Sequence, residues 1–416
     1  MNAPADRAAT ETVEEFADRA RIWLSQRMPR LDDNDPPPTG RGDELAWQRA
    51  RELQKLLWAG GFAGICFPRE YGGLGLDHAY QRAFDVVARG YEMPLILNTP
   101  NFTICAATLL DAGTDQQKHD RIGAALRGEE VLVQLLSEPS GGSDLAGVLT
   151  RAERRDRQWI VNGAKTWSTS AFAADYGLML ARTDWSVPKH EGLTMFLVPL
   201  ASAGVTLRRI EQVDGSREFC EEFFDDLVLP DAAVVGEVNH GWAVASRQVH
   251  HERRAVGGGS EFASGAGQEK TQRIAHDLIG LLRRAGRADD TDAHDKIGRV
   301  LARRLVRDHL VDHVSRAMAD GSVPPSAGSI IRLFHSDVTF LEVDTALEIT
   351  EDAAVIESAA GLRGVGDRFL SRQTVALGGG SDEIARNVIS ERLLGFPREP
   401  AADRGVPFDQ VRHNRV

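Results

Sequence analysis

The chain has 416 residues, room for two or three domains at roughly 150 residues each, and 42% of them are hydrophobic, which excludes a collagen-like or broadly disordered protein. Its 61 acidic against 49 basic residues leave a net charge of -12 at pH 7, which opposes attraction to phosphate backbones and argues against nucleic acid as a partner. Cys66, Cys105 and Cys220 are odd in number and widely spaced, so neither a disulfide framework nor a thiolate zinc site is expected, and a reducing cytoplasm is the simplest compartment.

The N-terminal run MNAPADRAATETVEEF lacks the basic-then-apolar order of a signal peptide, and no apolar run reaches the length of a membrane span. From Val13, the residues Phe16, Ala20 and Trp23/Leu24 recur every three or four positions and predict an amphipathic helix that stops before Pro29. A proline-rich linker (32–42) follows, then a second helical pattern through Leu45, Leu53, Leu56 and Leu57 and a turn-rich segment, FPREYGGLG, at 67–75. Residues 79–127 are mostly helical in pattern, broken around Pro94–Asn101, with caps near Thr114 and Gly128.

At about residue 131 the texture changes to short β-favouring runs at 131–136, 159–161, 177–182, 193–198, 205–207 and 223–229. Asn162-Gly163 predicts a two-residue hairpin turn. After Gly241 helical texture returns, with Leu301, Leu305, Leu310, Val314 and Met318 forming the expected core stripe. Between these helices lie a glycine-rich patch (257–267) and an acidic loop, ADDTDAHD (288–295). The order of helices, strands and helices predicts an α+β fold in segregated layers. Its parts are an N-terminal helical domain (1–130), a middle β-barrel or sandwich domain (131–238), a C-terminal helical bundle (239–400) and a tail (401–416).

LSEPSGGSDLAG (136–147) closes the first β run with hydroxyls, carboxylates and a Gly-Gly pair. Such a loop offers N–H groups and hydroxyls to a planar polar ligand; the same composition also suits a plain Ser/Gly turn. His250-His251 lacks the spacing of a zinc helix, and DDTDAHD lacks the glycine and terminal glutamate of a calcium loop, so no metal is expected.

Three patches, FPREYGGLG (67–75), LSEPSGGSDLAG (136–147) and NGAKTWSTS (162–170), resemble the acyl-CoA dehydrogenase family in type and order. EFFDDLVLP with VVGEVNHGW (222–242) is similar to the end of that family's β domain, and GGGSDEIARNVISERLLGFP (378–397) to its final helix. The resemblance implies a C-terminal four-helix domain and FAD held extended between subunits of a tetramer. It implies that Ser137 and Ser143 hydrogen-bond the polar edge of the isoalloxazine, that Trp167 lies against the ring and that Thr169 reaches toward N5. It places Ser381 and Glu383 near the pyrophosphate and ribose of FAD, although Ser381 also reads as a helix N-cap.

The implied reaction removes an α-proton by a base while the β-hydrogen leaves as hydride, so a carboxylate is needed. Many family members carry it just before the last glycine of the final loop, where this chain has Gly379. Other members carry it on the first helix after the β domain, where VHHERR presents Glu252 followed by Arg253. Glu252 is therefore the expected base, the alternative being a solvated carboxylate paired with Arg253 or Arg254. Ser143 and Arg253 are the expected substrate contacts, and the Gly379 N–H is expected to polarise the thioester carbonyl.

The family's R-x-x-F-G run has no clear counterpart at 270–300, where Arg283 and Arg284 are the available substitutes, and GLRGVGD (361–367) matches the family poorly. A homotetramer is expected from the resemblance, and these departures raise the alternative of a heterotetramer in which a related chain supplies such groups. The expected activity is acyl-CoA dehydrogenation to a trans-2-enoyl-CoA, with electrons passing to an electron-transfer flavoprotein and a lean toward branched or sterol-derived acyl groups. The alternatives are a flavin monooxygenase on the same fold and a non-catalytic subunit of a heteromer.

Overall fold

The N-terminal helices form where the apolar period predicts them. In the computed structural model, which describes residues 11–31, 40–256, 260–265, 277–354, 362 and 364–411, α1 spans Val13–Arg27 and buries Phe16, Ala20 and Leu24. Thr12 and Glu15 close a reciprocal capping box, Glu15 N donating to Thr12 Oγ1 (3.2 Å) and Thr12 N to Glu15 Oε2 (2.8 Å). Helix α2 (Glu44–Gly60) is capped by Asp43 and buries Trp47, Leu53 and Leu57, whereas Leu45 and Leu56 of the predicted stripe face outward. Phe16, Phe62 and Phe84, the last from α3 (His78–Val87), anchor the apolar core of these helices.

The predicted break is followed by wide π-type turns over Asn98–Ala106 that run into α4 (Ala107–Ala112). Thr114 makes the next capping box with Gln117, and Gly128 takes φ 72° where the helical region ends. The linker segment 32–39, residues 257–259 and 266–267 of the glycine-rich patch, and residues 361 and 363 of GLRGVGD lie outside the described residues.

The middle region is a sheet of eight strands: β1 (Leu132–Leu135), β2 (Arg151–Arg155), β3 (Gln158–Thr169), β4 (Tyr176–Arg182), β5 (Leu193–Pro199), β6 (Val205–Ile210), β7 (Phe219–Pro230) and β8 (Val234–Val235). The order is β6-β7-β3-β2-β4-β5-β8, with β1 parallel to β4. Alternation along β4 sends Leu178 and Leu180 into a core shared with the N-terminal helices, and Met179 and Ala181 into a second core with Trp159, Phe196 and Phe224.

The hairpin turn is not at Asn162-Gly163. It lies at Asp156-Arg157, between the closing pair Arg155↔Gln158, with Asp156 at φ 56°. Asn162 and Gly163 instead sit inside β3 at an irregularity opposite β7, where Asn162 exchanges two 2.9 Å hydrogen bonds with Asp226. Gly163 is required there because a Cβ would come within 2.7 Å of the Thr150 backbone.

Helix α5 (Gly241–Val256) follows the sheet and packs on β5 and on the 98–112 helical run. Residues 1–211, 216–268 and 401–416 make one compact unit, and 212–215 with 269–400 make another. The second contains α6 (Leu278–Arg284), α7 (Thr291–Ala319), α8 (Gly328–Thr350), α9 (Gly364–Ser371) and α10 (Asp382–Val388). Part of the predicted acidic loop is helix, since Asp290 caps α7 through Ala293 N at 3.0 Å.

The predicted stripe on α7 is also displaced. Leu301 and Leu305 are exposed, whereas Val314 further along the stripe is buried, and the buried face of the first turns runs through Ala293, Ile297 and Val300. One turn on, Arg304 continues that face by pairing with buried Glu342 of α8 at 2.9 Å.

Candidate active site

Strand β1 delivers the chain into the 136–148 loop, and Glu138 holds that loop shut. Its buried carboxylate accepts from Leu149 N (2.5 Å), Thr150 N (2.9 Å) and Lys165 Nζ (2.8 Å), while the same Nζ donates to Leu136 O at 3.0 Å. Both members of the ion pair are removed from water. Burial alone would raise the Glu138 pKa, but Lys165 and the two amides hold it below the usual carboxylate range.

With its base fixed, the loop leaves Ser140, Gly141, Gly142 and Ser143 exposed. A Cβ on Gly142 would stand 3.1 Å from the Ser137 hydroxyl, so glycine keeps that hydroxyl uncovered. The Ser137 carbonyl accepts from Thr166 N at 2.9 Å, tying the loop to β3.

At that point β3 bulges. The register against β7 slips between Thr166 and Ser168, and Trp167 takes φ 62° and turns its indole outward, 56% exposed. Phe219 supports the indole edge-on at 5.8 Å. Ser168 points inward and donates to Glu222 at 2.7 Å, and Thr169 pairs with Phe219 half-buried. Uncovered hydroxyls beside an exposed indole on a rigid strand suit a planar ring with a polar edge, and so these residues fit a flavin.

Burial pushes the Glu222 carboxyl up to about 8, against opposing pulls from Ser168 and Lys165. An unfolded glutamate has already released its proton near pH 4.3. Glu222 therefore contributes stability below about pH 4.3 that is lost as pH rises through about 8. Glu222→Gln is expected to remove this loss, so that urea unfolding from pH 5 to 8 shows the variant gaining on the parent by about 3 kcal/mol. Parallel stability profiles for the two proteins would contradict a buried, neutral carboxyl.

Helix α5 brings Glu252 to the same strand. Gln134 of β1, three residues before Ser137, donates from Nε2 to Glu252 Oε2 at 3.2 Å. One turn earlier on α5, Gln248 is fully buried beside Cys105, and His251 Nε2 lies 3.0 Å from Asp111 Oδ2, fixing the helix on α4. Arg253 is exposed, and Arg254 lies 3.7 Å from Glu261.

The remaining sequence candidates belong to the second compact unit. Gly379 and Gly380 take φ 71° and 96°, and Arg332 on α8 grips the Gly380 and Val375 carbonyls at 2.7 and 2.6 Å. Ser381 is the N-cap of α10, accepting from Ile384 N at 3.4 Å, and Glu383 is exposed in the first turn beside Arg386. Arg283 and Arg284 are exposed at the end of α6, with Arg284 3.7 Å from Asp277.

Sequence reasoning assigned no role to Gln134, Glu138, Lys165 or Glu222. Glu138 and Lys165 stand inside two of the patches that carried the resemblance, but their pairing across 27 residues exists only in the fold.

Family models match nearly the whole chain: the acyl-CoA dehydrogenase N-terminal domain over 10–129, the middle domain over 134–227 and the C-terminal domain over 239–394. The acyl-CoA dehydrogenase IpdE1 of Mycobacterium tuberculosis is 30% identical over 94% of this chain and 99% of its own. Acyl-CoA dehydrogenase FadE34 of the same organism is 33% identical over 70% of this chain, which spans only 39% of that longer relative. Among solved structures, the Tcur3481-Tcur3483 steroid ACAD superposes with a TM-score of 0.73 at 25% identity, covering 93% of this chain and 98% of that one.

Proposed function

Because the chain belongs to the acyl-CoA dehydrogenase family, we propose that it oxidises an acyl-CoA thioester to the trans-2-enoyl-CoA, with Glu252 as the base. The observation that carries this reading is the convergence on β1 of a carboxylate, Glu252, held by Gln134 at 3.2 Å, and of the loop that bears Ser137 and Ser143.

In this reading Ser137, Ser143, Trp167 and Thr169 hold the isoalloxazine of FAD, and Ser381 and Glu383 serve its pyrophosphate and ribose. Bound FAD supplies the hydride acceptor for the β-hydrogen. Glu252 takes the α-proton onto its carboxylate, and exclusion of water by the acyl chain strengthens it as a base. The Gly379 N–H donates to the thioester carbonyl and stabilises the charge that builds there as the α-proton leaves. Ser143 and Arg253 orient the thioester, and the exposed indole of Trp167 lies against the flavin ring.

The electron acceptor we infer is an electron-transfer flavoprotein, and the assembly is a tetramer of this chain alone or with a related one. Likeness to a steroid ACAD at 25% identity supports branched or sterol-derived acyl groups as substrates. Anaerobic titration of the FAD-loaded protein with straight, branched and sterol-derived acyl-CoAs tests the reading. Bleaching of the flavin by the bulky class is the expected result. Full flavin occupancy with no bleaching by any thioester would overturn it.

A further inference from the structure

Residues 401–411, beyond the family match that ends at 394, lie against the connection between β4 and β5. Phe408 N donates to Val187 O and Asp409 N to Trp185 O, both at 2.9 Å, and Pro407 bridges Pro188. Phe408 is 1% exposed, and the Arg182 guanidinium stacks on its ring 3.5 Å from the centroid.

Arg182 faces two ways. It is fully buried at the end of β4, and it donates to Ala146 O (2.6 Å) and Val148 O (3.3 Å), the closing residues of the loop that carries Ser137 and Ser143. Its Nη1 has no hydrogen-bond partner among the described residues, and the rings of Phe408 and Trp185 lie 3.5 and 5.8 Å from the guanidinium carbon, with Phe408 the closer cover. Burial lowers its pKa to about 10, so it remains a cation at neutral pH.

A second link runs in parallel. Lys189 Nζ lies 2.9 Å from Asp144 in the same loop and 2.6 Å from Asp403. Two cations, Arg182 at the end of β4 and Lys189 in the β4–β5 connection, thus each hold the 136–148 loop with one side and residues 401–411 with the other.

We propose that residues 401–411 are a strap that fixes the 136–148 loop, acting through Arg182 and Lys189 as positioning residues. The proposal rests on the reading of that loop as the place where flavin and thioester bind. A loop held at both ends is already ordered before ligand arrives, whereas a released loop must be ordered by the ligand, which weakens binding and leaves the chemical step alone.

The test compares the FAD-loaded full chain with a chain ending at Pro400 and with Phe408→Leu, Asp403→Asn and Asp403→Glu. Phe408→Leu keeps an apolar anchor and removes only the ring over Arg182, so it reports even where the truncated chain does not fold. Hydrogen exchange over 137–148 is expected to quicken about fivefold on truncation and about threefold in Phe408→Leu. KM for the thioester that bleaches the flavin best is expected to rise about fivefold on truncation, with kcat within about twofold. Asp403→Asn is expected to give a smaller rise, of about twofold, and Asp403→Glu to restore the parent value. Unchanged exchange over 137–148, with faster exchange confined to 184–192, would overturn the proposal by making the segment a cover for the β4–β5 connection alone. If no form turns over any thioester, the dehydrogenase reading fails, and the exchange result still decides the strap.

Discussion

Glu252→Gln is expected to lower the rate of flavin reduction by acyl-CoA about a thousandfold, the usual scale for loss of a general base, while FAD content and thioester affinity stay within a few-fold of the parent. Glutamine keeps the volume of the side chain and can still meet Gln134, which donates to Glu252 Oε2 at 3.2 Å, but an amide cannot take a proton from carbon. Stopped-flow mixing under anaerobic conditions measures the loss. Exchange of the substrate α-hydrogen with D2O gives an independent reading, because the parent is expected to catalyse it and the variant is not. A variant that kept more than a tenth of the parent rate would remove Glu252 from the role and leave it as a structural carboxylate of α5.

Lys165→Met is expected to destabilise the fold by about 3–5 kcal/mol, because removing one partner strands the other as an uncompensated buried charge. Glu138 is that partner, and its carboxylate also carries the amides of Leu149 and Thr150, so the loss reaches the loop as well as the strand. The double variant Glu138→Leu/Lys165→Met, apolar at both positions, is expected to recover part of the loss. Urea denaturation of the two single variants, the double variant and the parent closes the cycle. A loss below about 1 kcal/mol in Lys165→Met would mean that water reaches the site and solvates Glu138.

The helices were legible where hydropathy and burial coincide, as at Phe16, Ala20 and Leu24. They were misread where a polar side chain occupies a core position. On α7 the buried face passes through Arg304, which a hydropathy pattern discards because its partner Glu342 lies on another helix, and the eye moves to the exposed leucines beside it. Asn162-Gly163 has the composition of a tight turn, yet the glycine answers a steric need against Thr150 and the asparagine pairs with Asp226. Strand β2 went unseen because RAERR carries its one fully buried side chain, Ala152, among charges. In the candidate site, the residue types that face solvent were readable from motif resemblance. The groups that hold them, Glu138 with Lys165 and Glu222 with Ser168, are contacts between distant positions and have no local signature.

One apolar core joins Trp47 of α2, Phe102, Leu132 of β1, Met195 of β5 and Val244 and Ala245 of α5. Its earliest and latest members are far apart in the chain, so during synthesis the first helices must wait for α5 before the core can close. At ordinary elongation speeds that delay is roughly 10 to 40 s. Throughout it, the apolar faces of α2 and of the first strands stand open, and this interval is when a nascent chain of this kind depends most on chaperones.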